Sequence, residues 1–204
     1  NYLINAIMML YASGRESEAQ ELYDWIIEKY APDDKDFKLP MDRFIVERIN
    51  REDSPVRDLA ISQLTGSLQA ALLDVVRGDN EAFRRRMAYA RLIYDRFHEF
   101  TTQRTELPAI EMLMADIAAA MLVNPEMMYL ELSLDQRITL YRRLNDQVRV
   151  LLYDPVMPAL REQFRAQRPD QDFDAAFPPP PGLQEFRREA ERNFLRNQPG
   201  ALTP

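Results

Sequence analysis

YLINAIMMLYASGRESEAQELYDWIIEKY, residues 2–30, carries two apolar stripes separated by a glycine, and its reading decides the fold. In the first half Leu3, Ala6, Ile7 and Leu10 recur every three or four positions, the period of a helix face turned towards a core. Gly14 follows where a helix needs a residue that tolerates a left-handed backbone. In the second half Ala19, Leu22, Tyr23, Ile26, Ile27 and Tyr30 repeat the same spacing. Two such helices joined by so short a turn form an antiparallel hairpin.

The pattern continues in the same style. Pro32-Asp33-Asp34 breaks the chain, residues 31–40 read as a polar loop, and 42–51 as a short helix with Phe44, Ile45 and Ile49 facing in. Ser54-Pro55 places a cap residue before a proline suited to the first helical position. The helix it opens runs to about residue 77, with Leu59, Leu64, Leu68, Ala71, Leu72 and Val75 inward and Gly66 marking a close helix contact. Gly78-Asp79-Asn80 turns the chain into a helix over 81–100, with Phe83, Met87, Ala90, Tyr94 and Phe97 as its stripe. Thr101 to Thr105 is a polar break. Residues 107–123 are apolar on more than one side, the mark of a buried helix. Asn124-Pro125 ends it, since a residue before proline disfavours the helical region. Residues 126–132 supply one or two turns. Ser133 and Gln136 make a capping box, which opens a helix to about residue 153. Asp154-Pro155 is read as a restart, followed by a helix over 157–168.

Beyond residue 168 the composition changes. Residues 169–182 hold the run Pro178–Pro181 and Gly182, which prefers an extended polyproline spacer and is also the composition that SH3- and WW-type grooves accept. Residues 183–197 read as an amphipathic helix carrying Leu183, Phe186, Ala190, Phe194 and Leu195, and 198–204 as a disordered tail. The organisation expected is therefore a helical domain over 1–168, a Pro-rich linker over 169–182, and a terminal amphipathic helix. The fold class is all-α: antiparallel hairpins stacked as a solenoid or as an irregular bundle.

Composition narrows the function. The formal net charge of −7, from 33 acidic and 26 basic residues, removes the counterion release that drives nucleic-acid binding. Only Lys29, Lys35 and Lys38 are lysines, so the other 23 basic residues are arginines. That bias reflects either G+C-rich, bacterial-type codon usage or Arg forks recognising phosphate and carboxylate. With no cysteine there is no disulfide framework or thiolate chemistry, which suits the cytosol and equally an exported bacterial protein. No apolar stretch reaches the roughly 20 residues of a membrane span. The first stripe lacks the basic flank of a signal peptide. Because the chain starts at Asn1 within an apolar pattern, it is expected to be a fragment or a processed product.

Two segments, about 2–32 and 64–97, resemble the tetratricopeptide repeat, a helix–turn–helix unit of about 34 residues. In the first, Tyr11, Gly14, Ala19 and Tyr23 stand at the repeat's spacing, with Pro32 one residue late. In the second, Leu68 to Ala71 lead to Gly78-Asp79, Ala82-Phe83, Ala90 and Tyr94, one residue short between glycine and alanine. The resemblance implies a curved helical array with a concave surface that binds protein. Residues after 105 do not share it.

The search for chemistry yields little. His98 is the single histidine, so a two-histidine zinc site cannot form within the chain. Asp95 and His98 share a helix face without a further ligand. No phosphate-binding glycine loop or nucleophile elbow occurs, and Glu106, Glu111 and Asp116 share no face. No metal, cofactor or catalytic residue is assigned. The Arg84-Arg85-Arg86 run is either an acid-binding patch or a solvated face with one stem on the core, and Arg142-Arg143 is read alike. The ten methionines either pack the core or line an adaptable groove. The leading expectation is a non-catalytic scaffold or adaptor for a protein or peptide, with Tyr2, Tyr11, Trp25, Arg84, Arg85, Phe186 and Phe194 as candidate partner-binding residues. Two alternatives stand beside it: an oligomer subunit docked through its C-terminal helix, and a hydrolase drawing carboxylates from separate helices.

Overall fold

A computed structural model of the chain describes residues 2–30, 36–51, 57–100, 107–128 and 130–196. Among these residues there are ten α-helices and no strand, so the chain is all-α. The helices are α1 Tyr2–Ala12, α2 Glu16–Tyr30, α3 Met41–Arg51, α4 Arg57–Arg77, α5 Asn80–Phe100, α6 Ile110–Val123, α7 Leu134–Arg143, α8 Asp146–Gln167, α9 Phe173–Ala176 and α10 Leu183–Arg196. Short 3-10 turns occupy Asp36–Lys38 and Pro125–Met128. The Pro32-Asp33-Asp34 break, the Ser54-Pro55 start, the polar break at 101–105, Glu106 and the tail at 198–204 lie outside the described residues. The chain divides into two compact units, Asn1–Ile117 and Ala118–Pro204; the division falls inside the span expected to be one domain.

In the first unit α1 packs on α2 and on α4, α4 pairs with α5, and α3 packs on α5. Both hairpin turns follow one design. At Gly14 the amide of Arg15 donates to Leu10 O at 2.9 Å and that of Gly14 to Tyr11 O at 3.0 Å. At Gly78 the amide of Asp79 donates to Asp74 O at 2.9 Å and that of Gly78 to Val75 O at 3.2 Å. These are Schellman closures, which need a left-handed residue, and the φ angles of 82° and 81° require glycine. The Asp79 side chain then accepts from the Ala82 amide at 2.9 Å, capping α5. The expected inward residues Leu64, Leu68, Ala71, Leu72, Val75, Ala90 and Phe97 are buried. Burying each Leu or Phe among them contributes about 1.5–3 kcal/mol. On α2 the buried residues are Ala19, Tyr23 and Ile26, whereas Tyr30 faces solvent. Tyr23 meets Phe37 and Phe44 at 5.6 and 5.2 Å. Its hydroxyl donates to Leu39 O at 2.7 Å, and burial pushes its pKa up to about 12.

The second unit departs from expectation in two places. The helix expected over 134–153 ends at Arg143 instead, and Asn145 caps a new one, its side chain accepting from the Val148 amide at 2.8 Å. The restart expected at Asp154-Pro155 is absent: α8 runs on through Pro155 and Pro158. Both rings are exposed and lie three residues apart on one face. The opposite face buries Leu152, Val156, Leu160 and Phe164, and that packing outweighs two missing backbone donors. The segment read as a spacer is anchored between Phe173 and Pro180, while residues 169–172 and 181–182 are exposed. Phe173, Ala176, Phe177 and Leu183 are buried. Phe177 lies 5.4 Å from Tyr141 and 6.1 Å from Phe164. The Tyr141 hydroxyl donates to Pro178 O at 2.6 Å, and Arg142 donates to Ala175 O and Ala176 O at 2.7 and 3.2 Å.

Candidate partner-binding groove

Within the first unit, α1, α3 and α5 bound an open groove of about 620 Å³. Its apolar surface comes from Val46 on α3, Tyr11 on α1, and Ala88, Tyr89 and Leu92 on α5. Its charged rim comes from Asp42, Arg43 and Glu47 on α3 and Arg85 on α5. The sequence builds this arrangement locally. Phe44, Ile45 and Ile49 anchor α3 in the core, which leaves Val46, at 40% exposure, on the helix's outer side. On α5, Ala90, Ile93 and Phe97 are buried. Ala88 and Leu92, four residues apart, share the groove side.

The two tyrosines meet edge to face at 5.1 Å. Burial pushes the Tyr11 phenol up, and the carboxylates of Glu16 and Asp42 add to the shift. Burial also raises Tyr89, with Tyr11 as a lesser contribution. The Tyr89 hydroxyl is buried without a hydrogen-bond partner among the described residues. Arg85 stays half exposed and donates to Glu81 Oε1 at 3.3 Å.

Of the candidate residues, Tyr11 and Arg85 meet in this groove. Arg84 lies on the solvent side of α5 and donates to Asn80 O at 3.2 Å. Arg86 behaves differently from its two neighbours. Its Nε donates to Asp74 Oδ2 at 2.6 Å, and its Nη1 lies 3.0 Å from Glu16 Oε1. The run is thus a solvated face with one internal strut joining α2, α4 and α5. Tyr2 is 84% exposed at the start of α1. Trp25 stands on the outer side of α2, edge-on to Tyr30 at 5.2 Å with Lys29 Nζ 5.3 Å from its ring centroid. Phe186 and Phe194 belong to α10 in the second unit and are 38% and 65% exposed. The methionines divide: Met8, Met41, Met114, Met121 and Met157 are buried and Met112 is exposed.

Val46, Ala88, Tyr89, Leu92, Asp42, Arg43 and Glu47 were not singled out from sequence. Val46 is the one that left a signal, as an apolar residue off the Phe44/Ile45/Ile49 face. Among the described residues no group of three or more His, Asp or Glu side chains is placed to hold a metal ion. No described helix is long and apolar enough to cross a membrane. His98 is exposed on α5, its ring 4.4 Å from that of Tyr94. Comparison with family models, curated proteins and solved structures returns no match for this chain.

Proposed function

We propose that the chain is a non-catalytic scaffold whose α1/α3/α5 groove receives a short apolar segment of a protein partner. The observation that carries this reading is the groove's make-up, with Val46, Ala88, Tyr89 and Leu92 between charges of both signs. Protein-recognition surfaces combine such an apolar centre with a polar rim, and an amphipathic helix or extended peptide fills one by inserting two or three bulky side chains. The resemblance of the two glycine-turned hairpins to tetratricopeptide repeats supports the same reading, since such arrays bind peptides on helix surfaces.

Panning a random peptide library on the full chain, with counter-screening on Ala88→Trp, tests it. The indole would fill the groove from an exposed position on α5, so the fold should persist. Enriched peptides should carry bulky apolar residues flanked by charges, and Ala88→Trp should weaken their binding at least tenfold. Peptides that bind wild type and Ala88→Trp equally would contradict the reading. A second reading, an assembly subunit docked through α10, is favoured by a separate observation: Phe186 and Phe194 stand exposed on one face of that helix.

A further inference from the structure

We propose that the second unit binds the zwitterion of an apolar α-amino acid, with its carboxylate on Arg137 and its ammonium towards Glu126 and Glu131. Arg137 stands in the apolar stripe of α7: Leu134, Leu140 and Tyr141 are buried there, and Arg137 with them, at 6% exposure. Its Nη1 donates to Leu122 O at 3.0 Å and to Gln163 Oε1 at 2.7 Å. Gln163 Nε2 in turn donates to Val123 O at 3.0 Å. The pair closes the C-terminal carbonyls of α6, where a cation is favoured. That task occupies one nitrogen of the guanidinium and leaves Nε and Nη2 over. Nε is buried with no hydrogen-bond partner, and no described carboxylate hydrogen-bonds to the group. Burial holds its pKa below the ordinary arginine value, against the charge of Glu126. A buried charge without a bonded counter-charge is costly, and an arriving carboxylate would offset that cost.

The ligand's chemistry follows from the order of the charges. Arg137 lines an open pocket of about 490 Å³ between the end of α6, the turn Pro125–Met128 and α8. Val123, Pro125, Leu130 and Leu132 supply its apolar wall, and Glu126 and Glu131 its two carboxylates. Both glutamates are exposed, whereas the guanidinium is buried. The Nε–Nη2 edge is the one that grips Asp154 from Arg187 and Glu18 from Arg15 in this same chain. Its two parallel donors match the two oxygens of a carboxylate. Two acids beside one base disfavour a phosphate or any other polyanion, because like charges at short range repel. The pocket instead suits a ligand that is negative at its inner end, positive next to it and apolar in its body. An apolar α-amino acid carries its groups in that order.

The test is isothermal titration calorimetry of the full chain with leucine, methionine and phenylalanine, at least one of which should bind saturably at a single site. The amide of that amino acid, without the carboxylate, and its deaminated acid, without the ammonium, should each bind about tenfold more weakly or worse, since each loses a charged hydrogen bond. In proton–nitrogen correlation spectra the Arg137 Nε–H signal should move on binding. Arg137→Lys keeps the charge and a donor for Leu122 O but has no two-point fork; it should abolish binding while circular dichroism stays unchanged. Ala166→Phe gives the same answer without touching the buried group: it fills the pocket from an exposed position on α8 and should also abolish binding. No binding by any of the three amino acids at millimolar concentration, a deaminated acid that binds as well as its amino acid, or full binding by Ala166→Phe would overturn the proposal. None of these residues lines the α1/α3/α5 groove, so failure here leaves the peptide-binding reading separately testable.

Discussion

Three consecutive arginines on α5 separate the roles one residue type can take. The Arg86 guanidinium is nearly buried between Asp74, whose side chain is 4% exposed, and Glu16. Its backbone carbonyl also accepts from Ser67 Oγ at 3.0 Å. Removing it leaves the buried Asp74 carboxylate with only the exposed Arg77 guanidinium, 3.7 Å away, as a partner, a loss of about 2–3 kcal/mol. Arg86→Met should therefore lower the urea midpoint sharply, whereas Arg84→Met and Arg85→Met should each stay within about 0.5 kcal/mol of wild type. Two glycines make a similar contrast. A Cβ on Gly14 would sit at positive φ, 3.1 Å from Ala70 Cβ. On Gly66 it would meet the Ala12 and Ser13 backbone at 3.5 Å, ordinary contact. Gly14→Ala should cost about 1 kcal/mol or more, since strain there outweighs any entropy gained. Gly66→Ala should add about 0.5–1 kcal/mol through helix propensity. Thermal melts followed by circular dichroism read both.

At the scale of elements, α8 and α10 carry the sharpest expectations. Pro155 and Pro158 deprive the Leu151 and Asp154 carbonyls of their helical donors. Because both rings are exposed, Pro155→Ala should stabilise the chain by about 1 kcal/mol or more; destabilisation would show that the ring packs. The Arg187 hydrogen bonds hold the Asp154 carboxyl below its ordinary value of 3.8. A carboxylate with a depressed folded-state pKa contributes stability above its unfolded value and loses it as pH falls through the folded one. The anchoring of α10 should thus be intact near neutral pH and weaken only below 3.8, read as loss of dispersion in its amide NMR signals. Asp154→Asn should show the weakened state at every pH. The existence of nearly every helix was legible, because three-and-four spacing records which face is buried. The break at Leu144 and Asn145 was missed because the apolar period runs across it, although Asn145-Asp146 is a cap signal. The proline restart failed because local propensity is weak beside a buried face holding Leu152, Val156 and Leu160. The supposed spacer was misread for a related reason: Phe173 and Phe177, not the prolines, decide its path.

On the scale of the molecule, two compact units each enclose a core of their own. The groove lies wholly within Asn1–Ile117 and the amphipathic arm wholly within Ala118–Pro204. The groove and the exposed face of α10 can therefore be altered one at a time. Half of the groove's logic was hidden from sequence, since Tyr11, Val46 and Tyr89 converge only through the packing of α1, α3 and α5. Periodicity records which side of each helix faces inward, and it is silent about which helix lies next to it.

The most direct measurement is hydrogen–deuterium exchange of the full chain, free and saturated with the tightest peptide obtained from library panning. The groove account predicts slowed exchange concentrated in Met41–Arg51 and along α5 from Arg85 to Leu92. Protection confined to α10, or to the Trp25 side of α2, with α3 and α5 unchanged, would contradict it.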